Sequence, residues 1–123
     1  MQPVWLVSHG RVLASAQLAS TRRERRQGLI GQSVIGEPLV LDSCNWIHTL
    51  GMRAAIDVAY LSPDGAVVSV ATMRPWRVGT PVRGACRVIE ASAGSFERWN
   101  LRPGDTLEVR GESTDLRDES TSQ

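Results

Sequence analysis

Short apolar runs broken by turn residues set the rhythm of this chain. Val4 to Val7 is β-branched or otherwise apolar throughout and predicts a strand. His9-Gly10 marks a turn. From Arg11 to Leu18, Val12, Ala14, Ala16 and Leu18 alternate with Ser15 and Gln17, a period of two that predicts a second strand folded back as a hairpin. Ser20 or Thr21 then caps a short helix running to about Leu29. Glu24 stands three residues after Thr21, the spacing of a capping box, and Gly28 and Gly31 are stop signals.

The middle of the chain repeats the rhythm with shorter pieces. Gln32 to Pro38 reads as a loop, Leu39 to Leu41 as a strand and Trp46 to Thr49 as another. Leu50-Gly51-Met52 turns the chain into a buried strand, Ala55 to Leu61. Pro63-Asp64-Gly65 is turn chemistry, so Ala66 to Thr72 is expected to pair back antiparallel. The segment Arg74 to Pro81 holds Pro75, Gly79 and Pro81 and predicts a structured loop of the kind that carries function. Arg87 to Ala91 is a strand, Ser95 to Asn100 a short helix, Arg102 to Asp105 a tight turn and Leu107 to Val109 a last strand.

About seven or eight short strands with two short helices predict a mainly β (α+β) fold, a compact barrel-like domain. Its expected extent is residues 1–110. Residues 111–123 carry Glu112, Asp115, Asp118 and Glu119 against Arg117, with Ser and Thr between, and read as a disordered acidic tail.

Composition narrows the function. The chain has 123 residues and a formal net charge of +1, which gives no electrostatic case for a nucleic-acid protein. All 14 basic residues are arginine, the better side chain for bidentate contacts to oxyanions. The run Arg22, Arg23, Arg25, Arg26 reads first as a solvated helix face. No window is long enough to span a bilayer, and Ser8-His9-Gly10-Arg11 breaks any export-signal core, so the expected location is cytoplasmic. Cys44 and Cys86 fit that compartment as free thiols.

Candidate chemistry centres on Ile47 to Leu61, where His48, Arg53 and Asp57 interrupt an apolar run. Charge there must be paired, hydrogen-bonded or facing a site. One reading makes His48 and Asp57 an acid–base pair with Arg53 holding an anion. The plainer reading makes Asp57 an acceptor for backbone N–H groups of the Thr49 to Met52 turn or for His48. Cys44 with His48, and with Cys86 or His9, offers a looser set than closed zinc sites show, so no metal and no cofactor is expected. Cys44 as a nucleophile activated by His48 is a further option. Glu90 is expected to pair with an arginine. Trp76, flanked by Arg74 and Arg77, is the tryptophan expected at the surface, where an Arg-Trp-Arg edge can bind a planar or anionic ligand.

Several of these pieces recur in order in a known family. Arg26-Gln27-Gly28-Leu29, His48-Thr49-Leu50-Gly51-Met52-Arg53-Ala54-Ala55-Ile56-Asp57-Val58, Asp64-Gly65 with Val67-Val68, Pro75, Val88-Ile89-Glu90, Ala93-Gly94 and Gly104-Asp105 resemble the domain-of-unknown-function 192 family, from about Ala16 to Val109. The sequence departs from it where many relatives have Trp-Met-Lys-Asn-Thr, here Trp46-Ile47-His48-Thr49. It departs again where Leu-Glu-Leu-Pro-Ala-Gly is usual, here Ile89 to Gly94. The resemblance implies a small mainly β domain of bacteria and archaea with no agreed activity, and a setting near pilus or secretion genes for some members.

The reading that follows is a non-catalytic binding or accessory module. Its expected site is the end where the His48–Arg53 turn meets the Arg74–Pro81 loop, with His48, Thr49, Arg53, Asp57, Arg74, Trp76 and Arg77 as binding residues. Its expected partner is a small or anionic ligand or a protein, with no nucleic acid and no membrane. The alternative is a small hydrolase or transferase using His48 and Asp57.

Overall fold

The computed structural model describes residues 1–27 and 36–111. The predicted end of the first helix, most of the Gln32 to Pro38 loop and the predicted tail lie outside the described residues. Seven strands and two short helices follow one another as β1 (Gln2–Ser8), β2 (Arg11–Ala19), α1 (Arg22–Gln27), β3 (Leu39–Asp42), β4 (Ile56–Leu61), β5 (Val67–Met73), β6 (Arg87–Ser92), α2 (Ser95–Trp99) and β7 (Glu108–Gly111).

Local signals explain most of these elements. The β1–β2 hairpin turns on His9 and Gly10, both at positive φ, the geometry that matches the twist of paired strands. At α1 the Glu24 N–H donates to Thr21 Oγ1 at 3.1 Å, and Glu24 Oε1 accepts from the Ser20 and Thr21 N–H groups. That reciprocal box satisfies donors a helix start leaves open. Trp46 to Thr49 is not a strand: only His48 pairs there, in an isolated bridge to Val78. The apolar spacing of that piece serves packing, with Ile47 buried and its neighbours turned outward.

All strands join one sheet in the order β5-β4-β6-β3-β2-β1-β7. The β2–β3 pair is parallel, and every other pair is antiparallel. The sheet curls until its two edges meet at one end, where Ala66 bridges to Thr106 and Leu107 N–H donates to Gly65 O at 2.8 Å. Gly65 is required here: it has φ +88, and a Cβ on it would sit 2.8 Å from Leu107 O. Beyond that bridge the edges part, so the barrel is open along most of β5.

Each face of the sheet has its own core. The inner face gathers Val4, Leu6, Ala16, Val40, Ala59, Leu61, Ile89 and Leu107, and Phe96 and Leu101 close it from the α2 side. The opposite face packs Leu39, Leu41, Ile56, Val58, Tyr60 and Val88 under Ile47 and Met52. Strand β4 separates the two, with Ile56, Val58 and Tyr60 on the second face and Asp57, Ala59 and Leu61 on the inner one. Because β4 is buried on both faces, it shows no polar alternation in sequence.

Candidate binding site

The His48–Arg53 turn and the Arg74–Pro81 loop meet, and Thr49 joins them. Its side chain is fully buried. Thr49 Oγ1 donates to Arg74 O at 2.6 Å and accepts from the Arg77 N–H at 2.9 Å. Thr49 N–H donates to Arg77 O at 2.8 Å, and Thr49 O accepts from the Trp76 and Met52 N–H groups. Gly79 continues the contact: its N–H donates to Ile47 O, and its carbonyl accepts from Trp46 Nε1 at 2.8 Å. A Cβ at Gly79 would lie 3.0 Å from Ile47 O, so close approach of the two segments depends on a bare α-carbon.

This joint carries an apolar rim. Trp46 and Leu50 are exposed, Trp76 is 65% exposed and Val78 is 61% exposed. Trp76 also sits at φ 61, a left-handed conformation that a bulky residue adopts only when its surroundings impose it. The His48 ring is half-buried, 5.6 Å from the Trp46 ring, and its Nδ1 accepts from the Leu50 N–H at 3.1 Å. Arg53, Arg74 and Arg77 are exposed. Among the described residues none of them has a carboxylate partner. Among the described residues the Arg77 guanidinium makes only long contacts of 3.4 Å to the Pro75 and Trp76 carbonyls. No Asp or Glu occurs from Ser43 to Ile56 or from Ala66 to Ile89, so the rim is uniformly basic and apolar.

Asp57 lies elsewhere. It is buried on the inner face, away from Ile47 and Met52. Its Oδ1 accepts from Thr72 Oγ1 at 2.9 Å, and its Oδ2 accepts from the Gly94 and Phe96 N–H groups at 3.0 and 3.1 Å. The expected partners, the Thr49 to Arg53 turn and His48, are therefore corrected: the donors come from the approach to α2, far along the chain. His48 and Asp57 stand on opposite faces of the sheet and do not form an acid–base pair.

The remaining candidates also find defined places. Cys44 Sγ donates to Trp46 O at 3.1 Å, and burial pushes its thiol up, which disfavours the thiolate a nucleophile needs. Cys44 and Cys86 are free thiols. Among the described residues no three His, Cys, Asp or Glu side chains are grouped to hold a metal. Arg87 pairs with Asp42 at 3.1 Å.

Glu90 overturns its expectation. Among the described residues it forms no salt bridge with an arginine. It is buried on the second face, between Leu39 and Val58 of the flanking strands, and its Oε1 has no hydrogen-bond partner. Burial alone pushes its carboxyl up to about 7. The signal that singled out Asp57, an acid inside an apolar run, was equally present at Val88-Ile89-Glu90-Ala91.

The open, curled, mainly β sheet is shared with solved structures. A protein of unknown function from Novosphingobium aromaticivorans superposes with a TM-score of 0.72 at 21% identity, over 86% of this chain and 83% of that one. A Sinorhizobium meliloti protein, named as a proposed transcription regulator, gives 0.71 at 21% identity over 88% and 92%. These likenesses establish the fold alone. The chain belongs to the DUF192 family, described as an uncharacterized ACR, whose model matches residues 4–109. Its curated relatives are archaeal UPF0127 proteins. One from Thermococcus gammatolerans is 33% identical over 110 residues, covering 85% of this chain and 67% of that protein. One from Pyrococcus furiosus is 39% identical over 62 residues, covering 50% of this chain, and the match spans about half (53%) of that relative's length. Among the described residues no helix is long and apolar enough to cross a membrane.

Proposed function

We propose that this chain is a non-catalytic binding module, and that the joint between the His48–Arg53 turn and the Arg74–Pro81 loop is its recognition surface for an anionic partner. The observation that carries this reading is the rim itself: Trp76 and Val78 exposed beside Arg53, Arg74 and Arg77, with no carboxylate pairing them among the described residues. Aromatic and arginine side chains at a rigid joint are the residues that dominate binding energies at interfaces. Thr49 serves as the internal pin rather than as a contact, and His48 braces Trp46. Asp57 belongs to the fold. The setting beside pilus or secretion genes, implied by the family resemblance, is compatible with a partner that is itself a protein.

Catalysis by His48 and Asp57 has no support in this geometry, since the two groups face opposite sides of a sheet. The test uses a fluorescein-labelled peptide, Glu-Glu-Val-Thr-Val-Thr-Val, against its Lys-Lys counterpart. Anisotropy should show binding of the acidic peptide only, weakening as salt rises. Trp76→Ala combined with Arg77→Ala should weaken it by about tenfold or more. Equal binding of the two peptides, or an unchanged affinity in the double variant, overturns the reading.

A further inference from the structure

The two edges of the sheet are built differently. Strand β7 has four residues, and its Glu108 and Arg110 side chains pair with each other at 2.9 Å. A short, charged edge resists pairing with other chains. Strand β5 has seven residues, Val67-Val68-Ser69-Val70-Ala71-Thr72-Met73, without a charge, a proline or a glycine. On its outer side only the first of these is occupied: Val67 N–H donates to Asp105 O, and Val67 O accepts from the Gly104 N–H. From Val68 to Met73 no backbone bond runs to anything but β4 among the described residues. An edge of this length and composition is the template that extended chains add to.

Beside that edge the barrel is split by an open groove of about 410 Å³, walled by Val70, Ala71 and Thr72 on one side and by Gly94, Phe96 and Glu97 on the other. The groove leaves room for side chains of an added strand. Its Asp57 is already used, with three donors on its carboxylate. Glu97 on the far wall gives the groove no preference for acids. The preference arises where the edge ends, because β5 runs directly into Arg74, Trp76 and Arg77.

We infer that β5 is a strand-addition site for an extended peptide segment of a partner protein, apolar along the groove and acidic at the end that reaches Arg74 and Arg77. The partner's acidity rests on the binding surface proposed above. Six free edge residues offer about 20 Å of pairing, enough for a short peptide strand. A second copy of this chain is the weaker occupant. In an antiparallel β5–β5 pair only Asp64 of one copy would come near Arg74 and Arg77 of the other, one carboxylate against two arginines, so edge-to-edge pairing leaves part of that charge unmatched. In an antiparallel addition the acidic end of the partner is its N-terminal end.

The experiment uses the full chain and the Glu-Glu-Val-Thr-Val-Thr-Val peptide, read by anisotropy and by amide hydrogen exchange. Binding should slow exchange of the outward amides between Val68 and Met73. Ala71→Lys, at an exposed edge position, should weaken binding about tenfold while the unfolding midpoint stays that of the parent. Peptide binding that leaves the β5 amides unprotected and is unaffected by Ala71→Lys overturns strand addition while leaving the arginine–tryptophan surface intact. Protection of β5 that is equal for the acidic and the Lys-Lys peptide supports strand addition and overturns only the charge assignment. A concentration-dependent dimer in sedimentation whose formation protects β5, with no peptide bound, overturns the proposed occupant in favour of a second copy. Binding to vesicles containing anionic lipid, with no peptide affinity, overturns it in favour of a membrane surface.

Discussion

Glu90 makes stability depend on pH in an unusual direction. Its carboxyl has an ordinary value of 4.5 and is pushed up to about 7 by burial between Leu39 and Val58. Between those two values the folded state holds a proton that the unfolded state has lost. Stability must therefore fall as pH rises through that window, because the folded state binds the more protons. A difference of about 2.5 units corresponds to about 3 kcal/mol in all, most of it between pH 5 and 8. Asp105, Asp64 and Glu24 move the opposite way. The backbone N–H of Arg102 holds Asp105 down, the Ser62 hydroxyl holds Asp64 down, and the N-terminal ammonium holds Glu24 down to about 2. The stabilisation from such depressed carboxylates is complete above their unfolded values, so it does not change between pH 5 and 8.

Urea unfolding at pH 5, 6, 7 and 8 reads the effect directly. The parent should lose stability steadily and level off above pH 8. Glu90→Gln carries no titrating group, so its curve should lack this slope, matching the parent near pH 5 and exceeding it at pH 8. The informative quantity is the change in the difference between the two proteins across the range, about 3 kcal/mol. Any fixed cost of burying the Gln amide cancels in that change. Parallel curves for the parent and Glu90→Gln from pH 5 to 8 would refute the reasoning, and would mean that the carboxylate finds a partner when it ionises.

Two further predictions concern the buried acceptors and donors. Asp57→Ala should cost about 2–4 kcal/mol in urea unfolding, because it strands the Gly94 and Phe96 N–H groups, whereas Asp64→Ala in the exposed Pro63–Gly65 turn, which loses only the bond from the Ser62 hydroxyl, should lower the midpoint far less. Thr49→Val keeps shape but removes the bonds to Arg74 O and the Arg77 N–H. It should cost about 1–3 kcal/mol and speed amide exchange in the Arg74–Pro81 loop, and unaltered exchange there would deny Thr49 its role as the pin.

Elements with local signals were legible in the sequence. The His9-Gly10 hairpin, the Thr21/Glu24 box and the Pro63–Gly65 turn each announce themselves within a few residues, and the alternation of β2 survives because one of its faces is only half covered. Strand order was not legible, because nothing local reports that β3 lies parallel to β2 or that β5 is left at an edge. The meeting of the His48–Arg53 turn with the Arg74–Pro81 loop was expected from composition, but the bonds that make it pass through Thr49 to residues far along the chain. Asp57 shows the same limit. Its burial could be argued from Ile56, Val58 and Tyr60 alternating beside it. Its donors, at Gly94 and Phe96, lie beyond any window of local pattern. For Trp46 to Thr49, apolar spacing suggested a strand where the residues instead close over the second face.

Three departures from local rules lie close together in this chain, while others, such as exposed Val12 and left-handed His9 and Asn100, serve turns and a strand end elsewhere. The inner face obeys them: its one buried acid, Asp57, has three donors, and its apolar residues form a continuous cluster. The grouped three involve the second face and the joint built over it. Glu90 is buried there without a partner for Oε1. Above Ile47 and Met52, Trp76 is held outward at a positive φ that costs about 1–3 kcal/mol in backbone strain. Leaving Trp76 and Val78 in water forgoes about 1.5–3 kcal/mol for each side chain that burial would supply. A fold made only for stability would relieve all three, by an apolar residue at position 90 and by small polar ones at 76 and 78. Such departures belong where a sequence serves something other than its own core. Their grouping on one side of β4 therefore points to the second face and its arginine-edged joint as a working surface of the molecule, one that the β5 edge leads into directly.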